Sequence, residues 1–149
     1  MAEPIKNLLL IDTNILVYAY DAEDVKKHFI ASKLLEKCWK GQASYTLSIQ
    51  NLAEFFFIII EKVKNPLECD VAKQIVEDII HSPHWNVIKY DAKTIVHASN
   101  IKLANKIHFW DALLIATMLE NDVYTIYTEN EKDFGKVKQI SVVNPFKKV

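Results

Sequence analysis

Arginine is absent from this 149-residue chain, and all 18 of its basic residues are lysines. Every planar, bidentate guanidinium contact is thereby excluded from its own chemistry, so an arginine acting at its site would have to come from another molecule. Neither sign of charge is in excess. Against 19 acidic residues the formal net charge is −1, and no global basic field announces a nucleic-acid partner. Glycine occurs twice and proline four times, which leaves few open joints between domains. No repeat, low-complexity segment or Pro/Gly/Ser-rich linker interrupts the chain. The two cysteines, Cys38 and Cys69, fit no close metal-ligand or redox spacing. The stretch Met1-Ala-Glu-Pro-Ile-Lys6 lacks the basic-then-apolar pattern of a secretory signal, and a reduced, cytoplasmic setting is the expectation. The apolar run at residues 55–60 falls far short of the roughly 20 residues that span a bilayer, so no membrane partner is expected.

What is present is 50 % apolar composition, enough for one compact domain over residues 1–149 with a real core. Short apolar runs at residues 7–11, 43–47, 85–88, 123–127 and 140–143 read as buried strands. Longer periodic stretches lie between them. Residues 24–39 carry a broad apolar stripe at i,i+4 spacing, and Asp91 can cap a helix reaching about residue 105. Asn65-Pro-Leu-Glu68 looks like a cap, a first-turn proline and an acid opening a further helix. Residues 111–121 are apolar almost all round, as a buried helix would be. The run at 55–60 favours a strand on propensity, but Glu54 and Glu61, seven apart, would share a helical face, and a helix is the reading adopted. This alternation predicts an α/β fold: a three-layer α/β/α domain with a central parallel sheet of about five strands.

In such sheets ligands bind beyond the carboxyl ends of the strands. Asp12 follows the first strand, inside the run Leu8-Leu-Leu-Ile-Asp-Thr-Asn-Ile-Leu-Val17, where a lone carboxylate would be costly to bury. Glu54 lies beyond the second strand, Asp111 starts an apolar helix after Phe109-Trp110, and Glu129 and Asp133 follow the fourth. Taken singly, each has an ordinary reading: a turn or helix cap for Asp12 and Asp111, a solvated face for Glu54, a polar turn for Glu129, Glu131 and Asp133. Taken together they form an acid cluster without thiolate or a clear histidine partner, which suits Mg²⁺ or Mn²⁺ rather than zinc. Without a cation the cluster would repel itself. With one, the chemistry indicated is displacement at phosphorus by an activated water.

Three segments stand in order along the chain: Ile11-Asp-Thr-Asn-Ile-Leu-Val-Tyr18, Ser48-Ile-Gln-Asn-Leu-Ala-Glu-Phe55 and Phe109-Trp-Asp-Ala-Leu-Leu-Ile-Ala116. Together they resemble the motifs of the PIN domain family, closest to single-domain toxins of the VapC type, and the resemblance spans nearly the whole chain. It implies that Asp12, Glu54 and Asp111 are metal ligands and catalytic. The fourth motif, Thr128-Glu-Asn-Glu-Lys-Asp-Phe134, departs: Asn130 stands where many members have an acid. Either Asp133 or Glu129 would then complete the set. Asn14, Thr128 and Asn130 match supporting polar positions.

The resemblance further implies an endoribonuclease that leaves 5′-phosphate and 3′-hydroxyl ends. Its setting would be a toxin-antitoxin pair, with RNA as substrate, a small antitoxin protein as partner and a homodimer as assembly. Lys26, Lys27, Lys102, Lys106 and Lys132 are candidates for RNA phosphate contacts as point charges, or are ordinary solubilising surface. Two alternatives stay open: a PIN nuclease of RNA maturation or decay, and a nuclease-dead PIN module that binds without cutting.

Overall fold

The run Leu8-Leu-Leu-Ile11 divides its side chains between two cores: Leu8 and Leu10 enter one, Leu9 and Ile11 the other. A strand buried on both faces needs a layer of helices on each, and the chain supplies them. The computed structural model describes residues 8–147. In chain order the elements are β1 (Leu9–Ile11), α1 (Thr13–Tyr20), α2 (Val25–Trp39), β2 (Tyr45–Ser48), α3 (Ile49–Glu61), α4 (Cys69–His81), β3 (Trp85–Ile88), α5 (Ala92–Asn105), α6 (Phe109–Glu120), β4 (Thr125–Tyr127), α7 (Glu131–Phe134) and β5 (Ser141–Val143).

All strand pairs are parallel, in the order β3-β2-β1-β4-β5. The chain therefore travels outward from β1 to β3, crosses back, and runs outward again from β4 to β5. Right-handed crossovers put their helices on opposite faces when the direction of travel reverses. Accordingly α1 to α4 cover the face of Ile11 and Leu47, while α5 to α7 cover the face of Leu10 and Ile126. The result is the expected three-layer α/β/α arrangement, with its reversal of strand order between β1 and β4. No described helix is long and apolar enough to cross a membrane.

Local signals explain most boundaries. The β-favouring run at 55–60 is helical because Ser48 starts α3 with a capping box: its hydroxyl accepts from the Asn51 N–H, and Asn51 Oδ1 accepts in return from the Ser48 N–H. Leu52, Phe55 and Ile59 then fall on one buried stripe. Asp91 and Thr94 form a second box at the head of α5.

Other expectations are corrected. Asn65-Pro66-Leu67 lies outside any helix, and α4 begins at Cys69. Proline disfavours a helical residue before it, and the Leu67 N–H donates to the Ile59 carbonyl at 3.0 Å, pinning the segment against α3. Helix α6 begins at Phe109, with His108 as its cap residue, so Asp111 lies inside the first turn. Helix α1, directly after Asp12, and the single turn α7 had not been expected as helices. Asn7, placed at the start of the first strand, lies outside the described residues.

Candidate active site

Asp12 and Thr128 are the residues that leave the ends of β1 and β4, the two strands flanking the reversal. The Asp12 N–H donates to the Tyr127 carbonyl at 3.0 Å, which carries the ladder one step past the sheet. There the Asp12 carboxylate turns inward, 8 % exposed. It accepts from the Thr13 N–H at 2.8 Å, the Thr128 hydroxyl at 2.7 Å and the Asn14 amide at 3.3 Å.

A second set of bonds ties Glu54 to the same place. The Thr13 hydroxyl accepts from the buried Asn51 amide at 3.0 Å and donates to Glu54 Oε2 at 3.2 Å. Gln50, one turn before Glu54, donates to its Oε1 at 2.7 Å and to the Trp110 carbonyl at 2.9 Å. Thus α1, α3 and the start of α6 are laced together around the carboxylates. The Asn130 amide reaches Asp111 Oδ2 at 3.3 Å and Asp133 Oδ2 at 3.4 Å, while the Asn130 N–H donates to Thr128 Oγ1 at 3.0 Å.

The structure thus brings Asp12, Glu54, Asp111 and Asp133 together, with Asn14, Thr128 and Asn130 between them. Glu129 is engaged elsewhere: it pairs with Lys27 and accepts from the Tyr18 hydroxyl at 2.8 Å. Lys27 is consequently a partner of Glu129 and lies near the rings of Tyr18 and Phe146. Lys26 and Lys132 are exposed, whereas Lys102 donates to the Ile107 carbonyl at 3.1 Å. Lys106 is the left-handed residue that ends α5. Sequence reasoning missed Thr13, Gln50 and Asn51. The signals were there: Ser48 and Asn51 at capping-box spacing, and Gln50 and Glu54 at i,i+4.

Burial pushes the Asp12 carboxyl up to about 6, and the charges of Asp111 and Glu54 add to the rise; the bonds from Thr128 and Thr13 oppose it. Asp111 is raised as well, by burial first and then by Asp133 and Glu54, against His108 and Asn130. Among the described residues no lysine pairs with Asp12, Glu54 or Asp111; Lys136 reaches Asp133 at 3.5 Å. Among the described residues the buried oxygens Asn14 Oδ1 and Gln50 Oε1 have no partner. The surroundings therefore hold carboxylate and amide oxygens in surplus over positive charge, and such hard donors fit a small divalent cation. Among the described residues no three His, Cys, Asp or Glu side chains close around one point as a ready-made cage. Protein donors bond both carboxylate oxygens of Asp12 and of Glu54 instead.

Fold and site together define a class: a doubly wound parallel domain with an acid cluster where the strand order reverses. The family profile of the PIN domain matches residues 9–140, and the chain belongs to the PIN domain family. Solved structures of similar fold include VapC20 of Mycobacterium tuberculosis, described as a sarcin-ricin loop cleaving toxin. It aligns at TM-score 0.64 and 17 % identity over 85 % of this chain and 93 % of that one. VapBC2 of Rickettsia felis, bound to a promoter DNA fragment, aligns at 0.64 and 18 % over 92 % and 98 %. VapBC-1 of nontypeable Haemophilus influenzae aligns at 0.65 and 16 % over 94 % and 99 %. At these identities the likeness is one of fold. Comparison with the curated proteins returns no match.

Proposed function

We propose that this chain is a divalent-metal-dependent endoribonuclease and the toxin half of a type II toxin-antitoxin pair. The observation that carries the reading is the cluster itself: four acids gathered at the strand reversal, two of them with raised proton affinity. Natural folds tolerate such mutual repulsion where a ligand relieves it. In this reading Asp12, Glu54, Asp111 and Asp133 hold Mg²⁺ or Mn²⁺. When bound, the cation neutralises charge on the attacking and leaving oxygens of a phosphodiester.

The remaining roles belong to the chain. Thr128 and Asn14 orient Asp12, Thr13 and Gln50 orient Glu54, and Asn130 holds Asp111 and Asp133 in register. Glu129 anchors Lys27 rather than a cation. Membership of the PIN family supports nuclease chemistry, and solved structures of similar fold that include a sarcin-ricin loop cleaving toxin and a toxin-antitoxin complex from Klebsiella pneumoniae support the setting. An antitoxin that supplied an arginine would meet a cluster with no guanidinium of its own, and would compete there with the cation. A homodimer in the cytoplasm completes the proposal.

The test is cleavage of total cellular RNA by the purified protein in Mn²⁺, Mg²⁺ or EDTA, beside Asp12→Asn, with 5′ ends mapped. Discrete metal-dependent cuts, absent from the variant, are expected. Equal silence of both proteins, folded and free of any partner, would remove the nuclease reading and favour a binding module.

A further inference from the structure

A cleft between α3 and α6 opens beside the acids, and the cluster leaves most of it unused. It has a volume of about 620 Å³ and is lined by Gln50, Ala53, Glu54, Phe57, Tyr90 and Trp110. Glu54 belongs to both cleft and cluster, so the cleft starts where the acids end. Its rim carries large aromatic surface that no core covers: Trp110 is 63 % exposed and Phe57 48 %.

Gln50 adds a specific polar feature. It is 8 % exposed, and its amide nitrogen is committed twice, to Glu54 Oε1 and to the Trp110 carbonyl. Both partners are acceptors, which fixes the orientation of the amide. The carbonyl Oε1 is therefore the atom left buried with no partner. A buried acceptor without a donor is costly; this one has almost no solvent contact in the free protein, so a ligand that donates to it recovers that cost as the Gln50 side chain shifts toward the cleft.

Among the described residues the one charge in the lining is the Glu54 carboxylate, which repels a phosphate. A flat, neutral, aromatic group with a hydrogen-bond donor on its edge satisfies the lining instead. We propose that this cleft is a base-binding subsite, in which an unpaired nucleobase next to the scissile phosphate stacks on Trp110 and its exocyclic amine donates to Gln50 Oε1. The inference rests on the ribonuclease reading, and it adds a specificity. Single-stranded RNA is read in this manner, with bases splayed onto aromatic side chains and hydrogen-bonded on their edges. Adenine, cytosine and guanine carry the amine. Uracil offers its donor only between two carbonyls, which would face the acceptors Glu54 and the Trp110 carbonyl. Uracil is therefore the base the subsite takes least.

The test uses the whole chain and a short unstructured RNA spanning a mapped cut. Trp110→Ala raises KM by about tenfold, with kcat near wild type, because one base–aromatic stack is lost. An abasic residue at one of the two nucleotides flanking the cut costs the wild type a similar factor and costs Trp110→Ala nothing more. Trp110→Phe recovers most of the loss, which separates stacking from misfolding. Unchanged kinetics in Trp110→Ala overturn the proposal, as does an abasic penalty equal in both proteins. Unchanged RNA kinetics with weakened inhibition by a partner protein would assign the cleft to that partner. If the wild type cuts no RNA, the nuclease reading has failed, and tryptophan fluorescence still decides the cleft. Quenching by a single-stranded oligonucleotide that disappears in Trp110→Phe supports it, and absence of quenching overturns it.

Discussion

Asp12 is held where its charge is least welcome. A carboxyl whose folded-state pKa lies above its unfolded value contributes stability that is complete below the unfolded pKa and lost as pH rises through the folded one. For Asp12 that window runs from about 3.9 to about 6. Above it, the cation-free protein bears a cost of order 3 kcal/mol from this group. Asp12→Asn removes the charge while keeping the shape, so in EDTA at pH 8 its thermal midpoint exceeds the wild type by several degrees. At pH 4 that advantage disappears. Differential scanning calorimetry at the two pH values checks this, and an advantage independent of pH would contradict it. A second contrast separates the two acids after β4. Asp133→Asn weakens Mn²⁺ binding, whereas Glu129→Gln leaves it intact and loosens the packing around Lys27 and Phe146; titration calorimetry distinguishes them.

At the scale of elements, the site depends on how α3 is started and stopped. The Ser48 and Asn51 box fixes the first turn, and Asn51 passes that order to Thr13 and so to Glu54. Ser48→Ala therefore costs stability, about 1 kcal/mol for the lost cap, and also weakens cation binding. Loss of stability alone, with metal affinity unchanged in calorimetry, would separate the cap from the site. Phe55, wholly buried beneath the same helix, anchors it: Phe55→Ala costs about 3–5 kcal/mol in urea unfolding.

The same element shows what was legible in the sequence. Glu54 and Glu61 at heptad spacing outweighed six β-favouring residues, because a capped start and a continuous buried stripe decide more than propensity. Asn65-Pro66 was misleading for the converse reason: a good local start signal gave way to a bond to the neighbouring helix. Helix α1 was hidden because Thr13–Tyr20 is rich in β-branched and aromatic residues and has no acid in its first turn or base in its last, though Asp12 is its cap. That Asp12, Glu54 and Asp111 would lie near one another was legible from their positions after strands and inside motifs. The engagement of Glu129 was not, since its partners Lys27 and Tyr18 lie more than a hundred residues away in the chain.

For the whole molecule, strand order is the decisive feature. It places β1 and β4 side by side with helices departing to opposite faces, so acids from α3 and α6, on opposite sides of the sheet, meet over one gap. Outward-facing apolar residues on α4 and α5, among them Val71, Ile80, Val96 and Leu103, leave surface for assembly. The proposed homodimer predicts a sedimentation mass twice the 17.2 kDa of the chain. A monomer at micromolar concentration would contradict it.

In the proposed reading the acid cluster is a cation site that Asp12 completes. Its most direct test is titration calorimetry of Mn²⁺ into the purified protein at pH 5.5 and pH 8, in buffers of different ionisation enthalpy, beside Asp12→Asn. A cation site completed by Asp12 gives saturable binding that releases protons at pH 5.5, fewer at pH 8, and is lost in the variant. Binding that survives in Asp12→Asn, or a wild type that takes up no Mn²⁺ at either pH, would contradict it.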